Sequence, residues 1–246
     1  MAEQILLQRG ARALGVRLRQ AQLAMFASLE DALTQWNRQV NLTGIVEPDQ
    51  IELKHFIDSL TLVPHLPSWL PLHNPRLIDV GSGPGFPGLP LAIAMPHLHV
   101  TLLEATGKKV TFLHHAVELL GLENARPLHG RAEEAGRLLD HREAYDVAVV
   151  RALAGTSALT ELLLPLVRVG GYAVLMKKQS DVEDEVADAR PALQALSAEV
   201  EAVIPADVPN LLTDRALVVI KKLGVTSERF PRRPGVPQRR PLRASA

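Results

Sequence analysis

The 246-residue sequence predicts a mostly parallel, doubly wound α/β sheet with an N-terminal helical extension. Three features lead there. Residues up to about 70 carry helical periodicity without strands, and from residue 76 onward short apolar strands alternate with helical patterns. A glycine-rich turn lies where the first strand meets the first of those helices.

Along the chain, Leu14, Leu18, Ala21, Met25, Leu29 and Leu33 recur at spacings of three and four, and the stripe continues through 30–41. Asn41-Leu42-Thr43-Gly44 interrupts it, 52–63 reads as another helix, and prolines 64, 67, 71 and 75 form a connector. Strands are expected at 77–80, 100–103, 125–129, 147–150, 172–177, 200–204 and 216–221. Helices are expected at 89–95, 108–120, 132–139, 158–167 and 182–196, the crossovers that parallel strands require. Residues 226–242 are rich in proline and arginine and predict an extended tail. The chain thus divides into a helical cap (1–73), a central domain (74–224) and a basic tail (225–246).

Composition bounds the function. With 47% apolar and 22% charged residues the chain is a folded globular protein. The absence of cysteine excludes disulfides, thiolate metal sites and cysteine nucleophiles, and with them methyl transfer through a cysteine–pyrimidine adduct. It fits a reducing, cytoplasmic setting. Glu3, Arg9, Arg12, Arg17 and Arg19 rule out a signal pattern near the start, and no stretch is long enough to span a bilayer. His65, His73, His97, His99, His114 and His115 lack metal-ligand spacing with carboxylates, so no metal is expected. The formal net charge is zero, yet residues 229–246 hold six arginines and no acid, a local footprint for a polyanion.

After Asp79 come Gly81, Gly83 and Gly85. A dinucleotide fingerprint needs glycine at position 86, where Phe86 stands. The spacing suits a nucleoside without a pyrophosphate, such as S-adenosylmethionine. Glu104 ends the second strand, 23 residues past Gly81, where a carboxylate accepts ribose hydroxyls; a solvated acid opening a helix is the plainer alternative. Gly130-Arg131-Ala132-Glu133 follows the third strand, either edging onto adenine or simply starting a helix. Arg151 at the mouth of a buried strand points to cofactor or substrate, the plainer alternative being a surface arginine. Phe86 is core or an apolar wall beside the cofactor. His55 and Asp58, with Asn41, either form a buried pair tying the N-terminal helices to the core or line the substrate side of the pocket.

Several runs together resemble the bacterial small-subunit ribosomal RNA guanine-N7 methyltransferase family, also known as glucose-inhibited division protein B. They are Asn41-Leu42-Thr43, His55-Phe56-Ile57-Asp58-Ser59, Asp79 through Ile93, Leu103-Glu104 with Lys108-Lys109 and Phe112-Leu113, Arg131-Ala132-Glu133, and Arg151-Ala152. Phe230-Pro231-Arg232-Arg233-Pro234-Gly235 with Pro241-Leu242 completes the set. The glycine turn is common to many methyltransferases; the His-Phe-Ile-Asp-Ser run and the Pro-Arg-Arg tail are narrower.

The resemblance implies a Rossmann-like class I S-adenosylmethionine-dependent methyltransferase fold. It implies cofactor contacts from Gly81, Phe86, Glu104, Ala105, Thr106, Ala132, Glu133 and Arg151, to which the turn argument adds Gly83 and Gly85. The implied partner is 16S ribosomal RNA of the small ribosomal subunit, with a guanosine N7 as acceptor. RNA contacts are expected from Asn41, His55, Lys177, Lys178, Arg229, Arg232, Arg233, Arg239 and Arg240. One departure stands out: the family has Lys-Gly after the fifth strand, where this chain has Lys177-Lys178. N7 carries a lone pair and no proton, so no general base is expected and Arg151 is assigned a positioning role. A monomer is expected. The rivals are a nicotinamide-dependent dehydrogenase and a non-catalytic RNA-binding ribosome-assembly factor.

Overall fold

The structure is a computed structural model that describes residues 5–151, 153–208 and 211–242. Ala152 of the Arg151-Ala152 run, and the ends of the expected cap and tail (1–4 and 243–246), lie outside the described residues.

The cap begins with α1 (Ile5–Ala13) and α2 (Gln20–Asn37). Between them Gly15 takes a left-handed conformation (φ +73°), which ends α1 and resets the helical phase. The expected stripe therefore does not run through. Leu29 and Leu33 are buried on α2 together with Phe26 and Ala32, while Ala21 is exposed. Next come α3 (Pro48–Ile51), a π-helical turn (Glu52–Ile57) and α4 (Asp58–Leu60), which run on without a break. The buried carboxylate of Glu52 accepts the Leu7 N–H at 2.7 Å, satisfying a free donor in the first turn of α1.

The seven strands fall where apolar runs predict them: β1 (Arg76–Val80), β2 (His99–Glu104), β3 (Ala125–His129), β4 (Tyr145–Arg151), β5 (Val167–Lys177), β6 (Ala198–Pro205) and β7 (Ala216–Lys222). Their order is β3-β2-β1-β4-β5-β7-β6, parallel except that β7 runs antiparallel to both neighbours. The crossover helices are α5 (Gly88–Ala94), α6 (Gly107–Leu119), α7 (Ala132–Ala135), α8 (Thr156–Leu163) and α9 (Val182–Ala195). Two stop earlier than expected. Gly136 follows α7, and Pro165, which cannot donate a helical hydrogen bond, follows α8, so Val167 opens β5 instead of closing a helix.

Each sheet face has its own apolar core. Phe26, Leu29, Leu33, Phe56 and Ile57 of the cap share one with Phe86, Leu89 and Phe112. The other joins α8 and α9 to Ile78, Ala148, Leu175 and Val218. Strand order reverses between β1 and β4, so a crevice is expected beyond the carboxyl ends of these two strands.

Residues 226–242 are not an extended tail. Glu161 of α8, fully buried, receives Arg232 through its backbone N–H (2.8 Å), Nε (2.9 Å) and Nη2 (2.6 Å). Arg142 donates to the carbonyls of Thr226 (2.7 Å) and Phe230 (2.9 Å), and Phe230 is buried. The segment ends in a short helix, α10 (Val236–Arg239), lying against α8. Composition suggested an extended tail, but an arginine opposite a buried acid overrides it.

The second core also holds a cation. Lys222 is completely buried; its Nζ donates to Glu143 Oε1 (2.6 Å) and to the carbonyls of Leu164 (2.8 Å) and Val167 (2.7 Å). Glu143→Ala strands that charge and should cost about 3–5 kcal/mol of stability, read as a lower urea midpoint. Lys221→Ala removes the neighbouring lysine, whose Glu201 partner is on the surface, and should leave the midpoint unchanged. Equal shifts in the two variants would contradict this account of the core.

Candidate active site

A cleft of about 420 Å³ opens beyond the carboxyl ends of β1, β2, β3 and β4. Its floor is the glycine turn. Gly81 (φ +70°) and Gly83 (φ +57°) take conformations that L side chains rarely adopt, and both line the cleft. Glu104, buried at the end of β2, lies across that turn. Its Oε2 accepts the Gly83 N–H at 2.9 Å and its Oε1 accepts the Thr106 N–H at 2.7 Å. Ala105 and Thr106 continue the wall, and Ala132 and Glu133 form the side next to β3. Arg151 closes the β4 end.

Eight of the ten residues expected at a cofactor are therefore together. Gly85 and Phe86 are buried beneath the turn and do not line the cleft. Phe86, expected as core or as a wall, packs as core: its ring stacks on His55 with centroids 4.3 Å apart and planes 3° from parallel. Gly85 is required for a different reason: a Cβ there would run into the Leu89 and Leu113 side chains.

Arg151 joins this cleft to the cap. Its Nη1 donates to the Lys54 carbonyl (2.7 Å) and to Asp58 Oδ2 (2.9 Å), and its Nη2 donates to His55 Nδ1 (3.0 Å). The expected His–Asp pair thus has a guanidinium between its members. The π-helical turn brings Lys54, His55 and Asp58 to one arginine, a local widening often found at functional sites. Because a guanidinium only donates, His55 Nδ1 must accept, which leaves Nε2–H for Thr43 Oγ1 at 3.1 Å. Burial first, then the Arg151 charge, lowers the His55 pKa to about 3, so the ring stays neutral. Asp58 also pairs with Arg215 Nε at 3.1 Å.

Beneath the turn, Asp79 is fully buried. Its Oδ2 accepts the Gly88 N–H at 2.8 Å, and among the described residues its Oδ1 has no hydrogen-bond partner. Burial raises its pKa to about 7, against the lowering effect of the Gly88 N–H and Arg151. A side chain at Gly88 would collide with Leu102 and approach this carboxylate.

The residues expected to meet RNA divide. Lys178, Arg229, Arg233, Arg239, Arg240 and Asn41 are exposed. Lys177 is held by Glu185 (2.6 Å) and the Ala154 carbonyl (2.7 Å), Arg232 is held by Glu161, and His55 is buried under Arg151. Each of those three already has a partner within the protein. Lys178 sits at φ −80°, ψ 136°, an extended conformation open to any residue, so replacing glycine causes no backbone strain there.

Sequence reasoning missed several residues. Arg215 immediately precedes β7, and only the antiparallel direction of that strand brings its start to the cleft end of the sheet. Asn37 holds the Asn41-Leu42-Thr43 turn, accepting the Leu42 (2.7 Å) and Thr43 (3.0 Å) N–H groups and donating to the Thr43 carbonyl. Leu153, 40% exposed, covers Gly81, and Gln238 reaches the cleft from α10. Asparagine before a turn was a readable signal; the other three depend on tertiary contacts.

The two buried titratable groups should oppose one another. Asp79 has a folded pKa (about 7) above its ordinary value of 3.8, so its contribution to stability falls as pH rises between them. His55 has a folded pKa (about 3) below 6.5, so its contribution is complete above 6.5 and is lost as pH falls. Urea denaturation between pH 3.8 and 6.5 should find stability rising more steeply with pH in Asp79→Asn than in the wild type, and less steeply in His55→Gln. Wild-type slopes in both variants would refute these titrations.

Comparison with known proteins agrees with this architecture. Residues 22–229 match the family described as rRNA small subunit methyltransferase G. A relative of that name from Roseiflexus sp. (strain RS-1) is 47% identical over 232 residues, covering 94% of this chain and 97% of the relative. Another from Acetivibrio thermocellus is 40% identical over 237 residues, covering 96% of each. The solved structure of a mutant of MtNAS in complex with S-adenosylmethionine aligns with TM-score 0.55 at 16% identity, covering 82% of this chain and 74% of that one, a likeness of fold. The dehydrogenase and non-catalytic readings are not favoured. The extent and identity of these matches establish that the chain belongs to the rRNA small subunit methyltransferase G family.

Proposed function

We propose that the chain transfers a methyl group from S-adenosylmethionine to N7 of a guanosine in 16S ribosomal RNA of the small subunit. Family membership supports the reaction class. The observation that carries the cofactor reading is the Glu104 carboxylate joining the glycine turn, at Gly83, to the loop after β2, at Thr106. Each of its oxygens accepts one backbone N–H and keeps a lone pair for a ribose hydroxyl. It also occupies the Gly83 N–H that a pyrophosphate would need, and Phe86 stands where a dinucleotide turn needs glycine. The donor set therefore fits a nucleoside and opposes a dinucleotide.

On this reading Gly81 and Gly83 bring bare backbone to the cofactor, Glu104 holds its ribose, and Ala132 and Glu133 border its base. Three of the five N–H donors of Arg151 are taken by Lys54, Asp58 and His55, which leaves two for the cofactor carboxylate. Bound S-adenosylmethionine supplies an electrophilic methyl group on a cationic sulfur. Guanine N7 has no proton to lose, so no side chain of the protein acts as a base. The protein's task is alignment and exclusion of water, to which the Leu153 side chain over Gly81 contributes an apolar wall. Positive charge develops on the purine during transfer. The two inward cations, Arg151 and Lys177, are each paired with a carboxylate, Asp58 and Glu185, which limits their opposition to that charge.

The major groove of A-form RNA is too narrow for side chains, so the acceptor guanosine is unpaired or swung out of its stack. Lys178, Arg229, Arg233, Arg239 and Arg240 supply exposed cations for the flanking phosphates. Among the described residues no helix is long and apolar enough to cross a membrane. A monomer working in the cytoplasm, where its RNA is, completes the reading.

The test is incubation with radiolabelled S-adenosylmethionine and undermodified small subunits or their RNA, followed by mass mapping. One 16S fragment should gain a single methyl group and break at that guanosine under N7-specific cleavage. Label on another base, on protein, or nowhere would reject the proposal.

A further inference from the structure

One residue lining the cleft comes from the C-terminal segment. Gln238, on α10, lines the cleft together with residues of the loops after β1, β2 and β3. It also borders a second cavity of about 700 Å³ between α8, α9 and Pro241. Its side chain is exposed, and its amide makes no hydrogen bond among the described residues. The backbone around it, in contrast, is firmly held. Three residues earlier the Gly235 N–H donates to Glu133 Oε1 at 2.7 Å, and Glu133 is itself a buried residue of the cleft. Gly235 takes a left-handed conformation (φ +76°) that turns the chain into α10. On either side Arg232 is clamped by Glu161, and the Leu242 carbonyl accepts the Ser157 hydroxyl at 2.8 Å. A free amide on a fixed backbone beside a nucleoside cleft is arranged to meet a ligand.

The order of groups around the cleft says which part of the ligand. Glu104 on β2 takes the ribose in the reading above, and Arg151 on β4 takes the amino-acid end. The base then lies toward Ala132 and Glu133, where the C-terminal segment is fastened. A primary amide offers one donor and one acceptor face, the pairing by which Gln or Asn recognises adenine through N6 and N7.

We infer that the C-terminal segment is part of the cofactor site and that Gln238 contacts the adenine, setting specificity for adenosine at the base end of the cleft. This rests on the cofactor reading proposed above. It gives the Pro-Arg-Arg segment a task besides binding RNA: Arg232 and Gly235 carry Gln238 to the cleft.

Calorimetric titration of the full chain with 5′-methylthioadenosine and 5′-methylthioinosine separates the possibilities. These probes share ribose and sulfur but differ at the six position of the purine. The wild type should prefer the adenosine compound. Gln238→Ala, at an exposed position, should weaken that compound by about 10-fold, within the range of one bidentate base contact, and erase the preference. The KM for RNA in the methylation assay should not change. Persistence of the preference in Gln238→Ala, or a change confined to the KM for RNA, would overturn the inference. Failure of the wild type to bind either compound would overturn the cofactor reading and this inference with it.

Discussion

The architecture depends on one buried carboxylate shared between two arginines. Asp58, from the cap, pairs with Arg151 at the end of β4 and with Arg215 just before β7. An acid this deeply buried is tolerable only when its charge is answered, and two guanidiniums, one from the end of β4 and one from the loop before β7, answer it. The consequence is positional. Arg151 cannot reach Asp58, the Lys54 carbonyl and His55 together unless the cap sits over the β4 end of the sheet. His55 in turn stacks on Phe86, which follows the glycine turn, so cap, turn and strand end are fixed by one set of contacts.

That arrangement suits chemistry in which no proton has to be moved. The ring of His55 is held neutral and committed at both nitrogens, and Asp79 is sealed below the turn. Neither is free to serve as a base for a substrate in the cleft. What the cleft does offer is shape: bare backbone at the glycines, a carboxylate joining Gly83 to Thr106, and a guanidinium with two donors unused among the described residues. For methyl transfer to an atom that already has a lone pair, orientation is the larger part of catalysis.

Most of the fold was legible because apolar periodicity and the glycine turn are local signals. All seven strands and the five crossover helices lie where they were expected, with errors at the ends where Gly136 and Pro165 stop helices early. The misreadings share a cause. The stripe through Leu14 to Leu33 broke at Gly15, whose backbone angle no periodicity reveals. The arginine-rich C-terminal segment read as an extended tail because its partner, Glu161, lies far away in sequence on a helix whose pattern is mostly apolar. Lys177 and Arg232 read as free cations for the same reason. Within the candidate site, the glycines, Glu104 and Arg151 were readable from their places at strand ends. Arg215 and Gln238 were not, since an antiparallel strand and a folded-back segment carry them in.

The central claim is that the cleft beside Gly81, Gly83 and Glu104 holds the methyl donor. A crystal structure of the chain with S-adenosylhomocysteine tests it most directly. The account predicts the ribose hydroxyls on the Glu104 carboxylate and the amino-acid end toward Arg151. The same compound seated elsewhere, with Glu104 touching only the Gly83 and Thr106 amides, would contradict it.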